Sequence, residues 1–130
     1  MNIAPGIRTA LAADTDVAAV VGTRIYFQRL PQEPTYPALT IEQITTDLYN
    51  TVNELQGLHW SRIRVHAWAQ TYAAADTLAA TVQTALNGKK ITVSGLKIRS
   101  VVADGPWDSY DATADIYQLA QDFRIWHRGD

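Results

Sequence analysis

The sequence predicts an α+β fold, a mostly antiparallel sheet with helices packed on one face. Three observations carry that expectation. Residues 60–69 alternate apolar and polar side chains at period two, and residues 119–126 repeat the scheme, as strands with one covered and one open face do. Residues 72–86 instead carry an apolar stripe at helical spacing. Read along the chain, the elements run helix, strand, strand, strand, helix, then a hairpin and a last strand.

The first helix is expected over residues 5–13. Pro5 suits its first turn, where the missing N–H would have no intrahelical partner, and Ile3, Ile7, Ala10 and Leu11 recur at helical spacing. A short second helix, 16–21, has Asp14 or Thr15 as its cap and Gly22 as its stop. Ile25-Tyr26-Phe27 is a brief apolar run whose place in the sheet stays open. Residues 30–37 hold three prolines, Pro31, Pro34 and Pro37, and read as an extended, ordered loop. Proline lacks the N–H donor and restricts the residue before it.

Residues 38–49 are rich in β-branched and aromatic side chains and read as a strand. A polar loop, 50–57, follows and is long enough to project. In the 60–69 strand, Ser61, Ile63, Val65, Ala67 and Ala69 fall on one face; Trp60, Arg62, Arg64, His66 and Trp68 fall on the other. Tyr72, Ala75, Leu78, Ala79, Val82, Ala85 and Leu86 form the helical stripe, with Thr71 as cap and Asn87-Gly88 as stop. Residues 90–93 and 96–103 read as a hairpin around Ser94-Gly95. Residues 104–114, acidic and opened by Asp104-Gly105-Pro106, read as a second projecting loop. In the last strand Leu119, Phe123 and Ile125 face one way, and Asp122, Arg124 and Trp126 the other.

At 130 residues, with 47% hydrophobic and 18% charged side chains, the chain suits one domain spanning 1–130. A chain of this length buries roughly two-thirds of its unfolded surface. That core has to suffice, because the absence of cysteine excludes disulfides and thiolate zinc sites. No run approaches the ~18–20 apolar residues of a membrane helix. Met1-Asn2-Ile3-Ala4-Pro5 lacks the basic and apolar regions of a signal peptide, so folding in the cytoplasm of the producing cell is expected. The formal charge is −2, and basic residues such as Arg8, Arg24, Arg29, Arg62, Arg64, Arg99 and Arg124 are scattered along the sequence. That argues against a tight grip on nucleic acid, which calls for a basic surplus or stripe, though DNA could still pass nearby.

Reactive constellations are sparse. His59, His66 and His127 are the histidines, and His66 could neighbour Asp122 or Arg124 if their strands pair. Such a pair could serve acid–base chemistry, but a base needs a nucleophile and a pocket, and a polar residue on the open face of a strand is the plainer reading. Asp104, Asp108, Asp111 and Asp115 lack the alternating ligands of a calcium loop and suit a solvated turn. Gly88-Lys89-Lys90 lacks the second glycine and the Ser or Thr of a phosphate loop. No catalytic, cofactor or metal residue is assigned, and a non-enzymatic role is expected.

The surface is more informative. Trp60, Trp68 and Trp126 fall on the arginine-bearing face of their strands, and Trp and Arg are enriched at the energetic centres of protein interfaces. Trp60, Arg62, Arg64, Trp68 and Trp126 are therefore the candidate subunit-interface residues. The competing expectation is that long loops fold over this face and bury the tryptophans.

The order of motifs resembles the family of small tail-completion proteins of siphophages and prophages. The matching pieces are Leu11-Ala12-Ala13-Asp14, Val17-Ala18-Ala19-Val20-Val21-Gly22-Thr23-Arg24-Ile25-Tyr26, Leu30-Pro31-Gln32 and Tyr36-Pro37-Ala38-Leu39-Thr40. Arg62-Ile63-Arg64-Val65-His66-Ala67-Trp68-Ala69, Tyr72-Ala73-Ala74-Ala75 and Asp122-Phe123-Arg124-Ile125-Trp126 complete the set. The resemblance covers nearly the whole chain and implies a structural virion protein, similar to the tail terminators of lambda-like phages. It further implies a homo-oligomeric, typically hexameric ring at the head-proximal end of the tail tube. Its partners would be the tail tube protein and the head–tail connector, with DNA passing through the lumen. The loops at 31–37, 50–57 and 104–114 are its candidate ring or tube contacts. A neck adaptor or head-closure protein, or a small non-viral binding domain, are the alternatives.

Overall fold

Helix α1, Ala4–Ala13, starts beside Pro5, and the Ile3 N–H at its head donates to Gln43 Oε1 at 2.8 Å. Helix α2, Thr15–Val21, is capped by Asp14, whose carboxylate accepts from the N–H groups of Asp16 and Val17. It stops at Gly22, whose φ of +58° an L side chain rarely adopts. Arg24 ties this turn down, donating to the carbonyls of Val20 and Pro37. Helix α3, Tyr72–Leu86, has Thr71 as its cap, accepting from Ala74 N–H. The computed structural model describes residues 3–48, 58–88, 90–93 and 96–129, with the side chains at 45–48, 58–60, 93, 96, 100–104 and 128–129 outside that description.

The strands are β1 (Ile25–Phe27), β2 (Ala38–Leu48), β3 (Leu58–Ala69), β4 (Lys90–Val93), β5 (Leu96–Asp111) and β6 (Ile116–Gly129). They form one sheet in the order β1-β2-β3-β6-β5-β4. The short run at Ile25 does join it, parallel to β2; every other pairing is antiparallel. The mostly antiparallel α+β class is therefore the observed one.

The helices share one side of the sheet. Ile7, Leu11, Val17 and Val21 from α1 and α2, with Leu78, Val82 and Leu86 from α3, pack against Ile63, Val65, Leu119, Phe123 and Ile125. The period-two reading of β3 holds at every described position. Ser61, Ile63, Val65, Ala67 and Ala69 are buried, while Arg62, Arg64, His66 and Trp68 keep intermediate exposure.

Two expectations need correction. The stripe assigned to α3 is buried except at Tyr72, which is 47% exposed. Tyr72 sits in the first turn, where its hydroxyl donates to Asp108 Oδ2 at 3.0 Å and its ring meets Tyr117 edge-on. A phenol satisfies its polar end there without entering the core. The segment 104–114 is not a loop as far as Asp111. Strand β5 runs on through it, paired with β6, and turns only at 112–115. The Gly105-Pro106 turn signal is instead an irregularity inside the ladder, with register shifts between Val102 and Asp104 and between Asp104 and Trp107. Gly105 has φ +89°, and a Cβ there would lie 2.9 Å from the Ala120 carbonyl oxygen and from the Trp107 ring. Only glycine fits that close approach.

Candidate assembly surface

The face of the sheet turned away from the helices is assembled by register. Directly paired residues share a face, so Arg62 lies beside Arg124, Arg64 beside Asp122, and Trp60 beside Trp126 across β3 and β6. The rows continue outward, with Trp126 beside Arg99 and Arg99 beside Lys90. Residues scattered through the sequence thus become neighbours on one surface. Of the arginines dispersed along the sequence, Arg62, Arg64, Arg99 and Arg124 gather on this face, while Arg8 and Arg24 donate to backbone carbonyls around β1.

At the middle of this face sits a charge clamp. Arg62 Nε donates to Asp122 Oδ2 at 2.6 Å, and Arg64 donates through Nε to Oδ1 at 2.8 Å and through Nη2 to Oδ2 at 3.2 Å. The Asp122 side chain is fully buried, and the two arginines are 30% and 32% exposed. Burial alone would push the Asp122 carboxyl up. The hydrogen bonds and positive charges of Arg64 and Arg62 outweigh it and hold the carboxyl below its ordinary value. Arg64 also lies over the Trp107 ring, 4.9 Å from its centroid.

His66 does not pair with Asp122 or Arg124 as its sequence position allowed. Its Nε2 lies 3.0 Å from Glu42 Oε1, and its Nδ1 meets the Gln118 side-chain amide. Strand register explains this, because His66 faces Thr40 and Ala120 while Asp122 is taken by Arg64. A second polar pair, Ser61 Oγ and His127 Nε2 at 2.8 Å, was not anticipated. Both residues are at most 1% exposed on the helix-covered face.

The candidate interface residues separate into two ends and a centre. Trp68 donates from Nε1 to Thr40 Oγ1 at 2.9 Å and lines a groove of about 450 Å³ with Pro31, Pro34, Tyr36, Asp111 and Ile116. The proline loop therefore lies beside this end of the face, where Ala38, Thr40, Ile116 and Ala120 are buried. Trp126 stands at the opposite end and lines a groove of about 440 Å³ with Lys90, Thr92, Lys97 and Arg99. Arg62 and Arg64 occupy the centre through Asp122. Trp60 is placed by its backbone opposite Trp126; its side chain lies outside the described residues, as does the loop expected at 50–57.

Beyond the Gly105 irregularity, β5 runs as an edge arm along the start of β6, whose other side is paired with β3 from Tyr117 onward. Trp107 is 40% and Tyr110 49% exposed, and neither residue was singled out from sequence. Their aromatic character was visible, but the segment read as a turn. The Tyr110 hydroxyl donates to Asp115 and the Tyr72 hydroxyl to Asp108, and these carboxylates push both phenols above their ordinary pKa. Among the described residues, no group of three or more His, Asp and Glu gathers as metal ligands would.

Residues 5–128 match the family model described as tail completion protein gp17. A chain in the solved virion of a native gene transfer agent particle is similar at 21% identity and a TM-score of 0.71, covering 95% of this chain and 92% of that one. A second solved chain, 10% identical, gives a TM-score of 0.62 over 99% of both chains. No curated protein matches. At these identities the two structural likenesses speak for the fold, and the family model for membership.

Proposed function

The chain belongs to the tail completion protein gp17 family, and from that premise we propose that it forms a ring closing the head-proximal end of a long phage tail and joining it to the head. Membership makes it a structural virion protein of the tail or neck, in a family not known for enzymatic activity. The ring, its hexameric count and its docking to tail tube and connector are the finer part of the reading. DNA would traverse the lumen without specific contacts, as a chain of net charge −2 would favour.

One observation supports the reading above the rest. The helix-free face of the sheet presents Trp126, Arg99, Arg124 and the Arg62–Asp122–Arg64 clamp, an aromatic and guanidinium surface that a solitary protein gains little by keeping wet. Trp60, Arg62, Arg64, Trp68 and Trp126 remain the proposed boundary residues.

Electron microscopy of the purified protein is the direct test. Annular particles with an open centre are the expected result. A uniform monomer at high concentration, with no annuli in the presence of tail tubes, would remove the ring from the reading while leaving family membership intact.

A further inference from the structure

The charges on the two ends of the β5–β6 ribbon have opposite sign. At the β4 end of the open face, Lys90, Lys97, Arg99 and Arg124 are exposed around Trp126. Lys90 and Arg99 stand directly opposite each other in the ladder, an arrangement of like charges that weakens a sheet. Trp126 beside them gives an apolar floor. At the other end, the arm exposes Asp108, Asp111 and Asp115 beside Trp107 and Tyr110. The arm's own segment, 100–123, holds no Lys or Arg, and the guanidinium groups that border it are Arg64 over Trp107 and Arg29 in the groove shared with Asp111.

The two ends cannot neutralise each other within one molecule. Along β6 the two ends are ten residues apart, from Trp126 beside Arg99 to Ile116 beside Asp111, roughly 33 Å at the usual rise. That is several times the screening length of about 8 Å in physiological salt. Between copies the two ends are complementary, and repeated head to tail, as the ring reading requires, the contact closes into a ring when the rotation permits.

We propose that the acidic, aromatic arm of one copy docks on the basic Trp126 end of the open face of the next. The proposal rests on the ring reading above and names the two surfaces that make its repeating contact. The partner is a second copy of this chain, argued from charge complementarity and from the like-charged Lys90–Arg99 pair that an anionic neighbour would relieve.

A charge-swap experiment tests it. An arm variant, Asp108→Lys with Asp115→Lys, and a face variant, Lys90→Glu with Lys97→Glu and Arg99→Glu, are purified separately, and assembly is followed by light scattering and microscopy. Each alone is expected to need more than about tenfold higher concentration than the parent to assemble. Mixed in equal amounts, they are expected to recover rings, because each arm then meets a face of opposite charge; that recovery also shows both variants folded. Parent rings that persist unchanged in both variants, or lost rings that mixing fails to restore, would overturn the proposal and leave the ring reading standing. A face variant that still forms rings but loses salt-sensitive DNA retention would assign the basic end to DNA instead. A parent that never assembles would sink the ring reading and this contact together.

Discussion

The two faces of strand β3 obey different rules. On the helix side, Ile63, Val65 and Ala67 need only be apolar and of suitable size, and they touch helices whose own stripes are visible within a single window of sequence. On the open side, Arg62 and Arg64 acquire meaning only from Asp122, some 60 residues away in the chain. The covered face is local pattern. The open face is long-range register, and register converts scattered charges into a surface with a clamp at its centre, a basic end and an acidic arm.

The largest break in the comparison should come from the covered face. Phe123 is fully buried, pairs with Ile63 across the β3–β6 ladder and packs in the helix-facing core. Phe123→Ala should cost about 3–5 kcal/mol, a substantial part of the stability of a chain this size. Denaturant titration measures it; a cost under about 1 kcal/mol would mean the core is not where the two layers meet.

This contrast also explains what the sequence disclosed. The α3 helix was legible with its bounds, cap and stop, because Thr71, the stripe and Asn87-Gly88 all lie within one short window. The alternation of β3 was equally clear. The arm was hidden because Gly105-Pro106 marks a turn in most contexts, and only the approach of the Ala120 carbonyl shows the glycine serving a kink inside a continuing strand. Trp68 and Trp126 were placed on the correct face, yet their division into a proline-loop end and a basic end depends on pairings that no local pattern encodes.

The clamp should have an intermediate effect with a pH signature. Asp122 is buried, but its arginines keep about a third of their surface and can regain water, so Asp122→Asn should cost about 2–3 kcal/mol, less than the loss of a fully buried partner. The folded carboxyl titrates below the ordinary value of 3.8. Its contribution is therefore complete above that value and is lost as pH falls through the folded one. Acid titration of stability should show the parent losing this advantage below about pH 4 and Asp122→Asn flattened over the same window. Parallel curves for the two proteins would show that the clamp does not contribute in this way.

The smallest effect on the isolated chain, and the most discriminating, belongs to Arg99. It is exposed and directly opposed by Lys90, so Arg99→Ala removes a repulsive cross-strand pair. Thermal denaturation of the monomer should shift by no more than about 0.5 kcal/mol, with the sign toward greater stability. Self-association should move the opposite way and weaken. A surface kept for the monomer's own sake would lose stability on truncation, whereas one kept for a neighbour should gain stability alone and lose it in company. The sign of that single melting shift, set beside the assembly result, decides whether the basic end of the open face serves the fold or a partner.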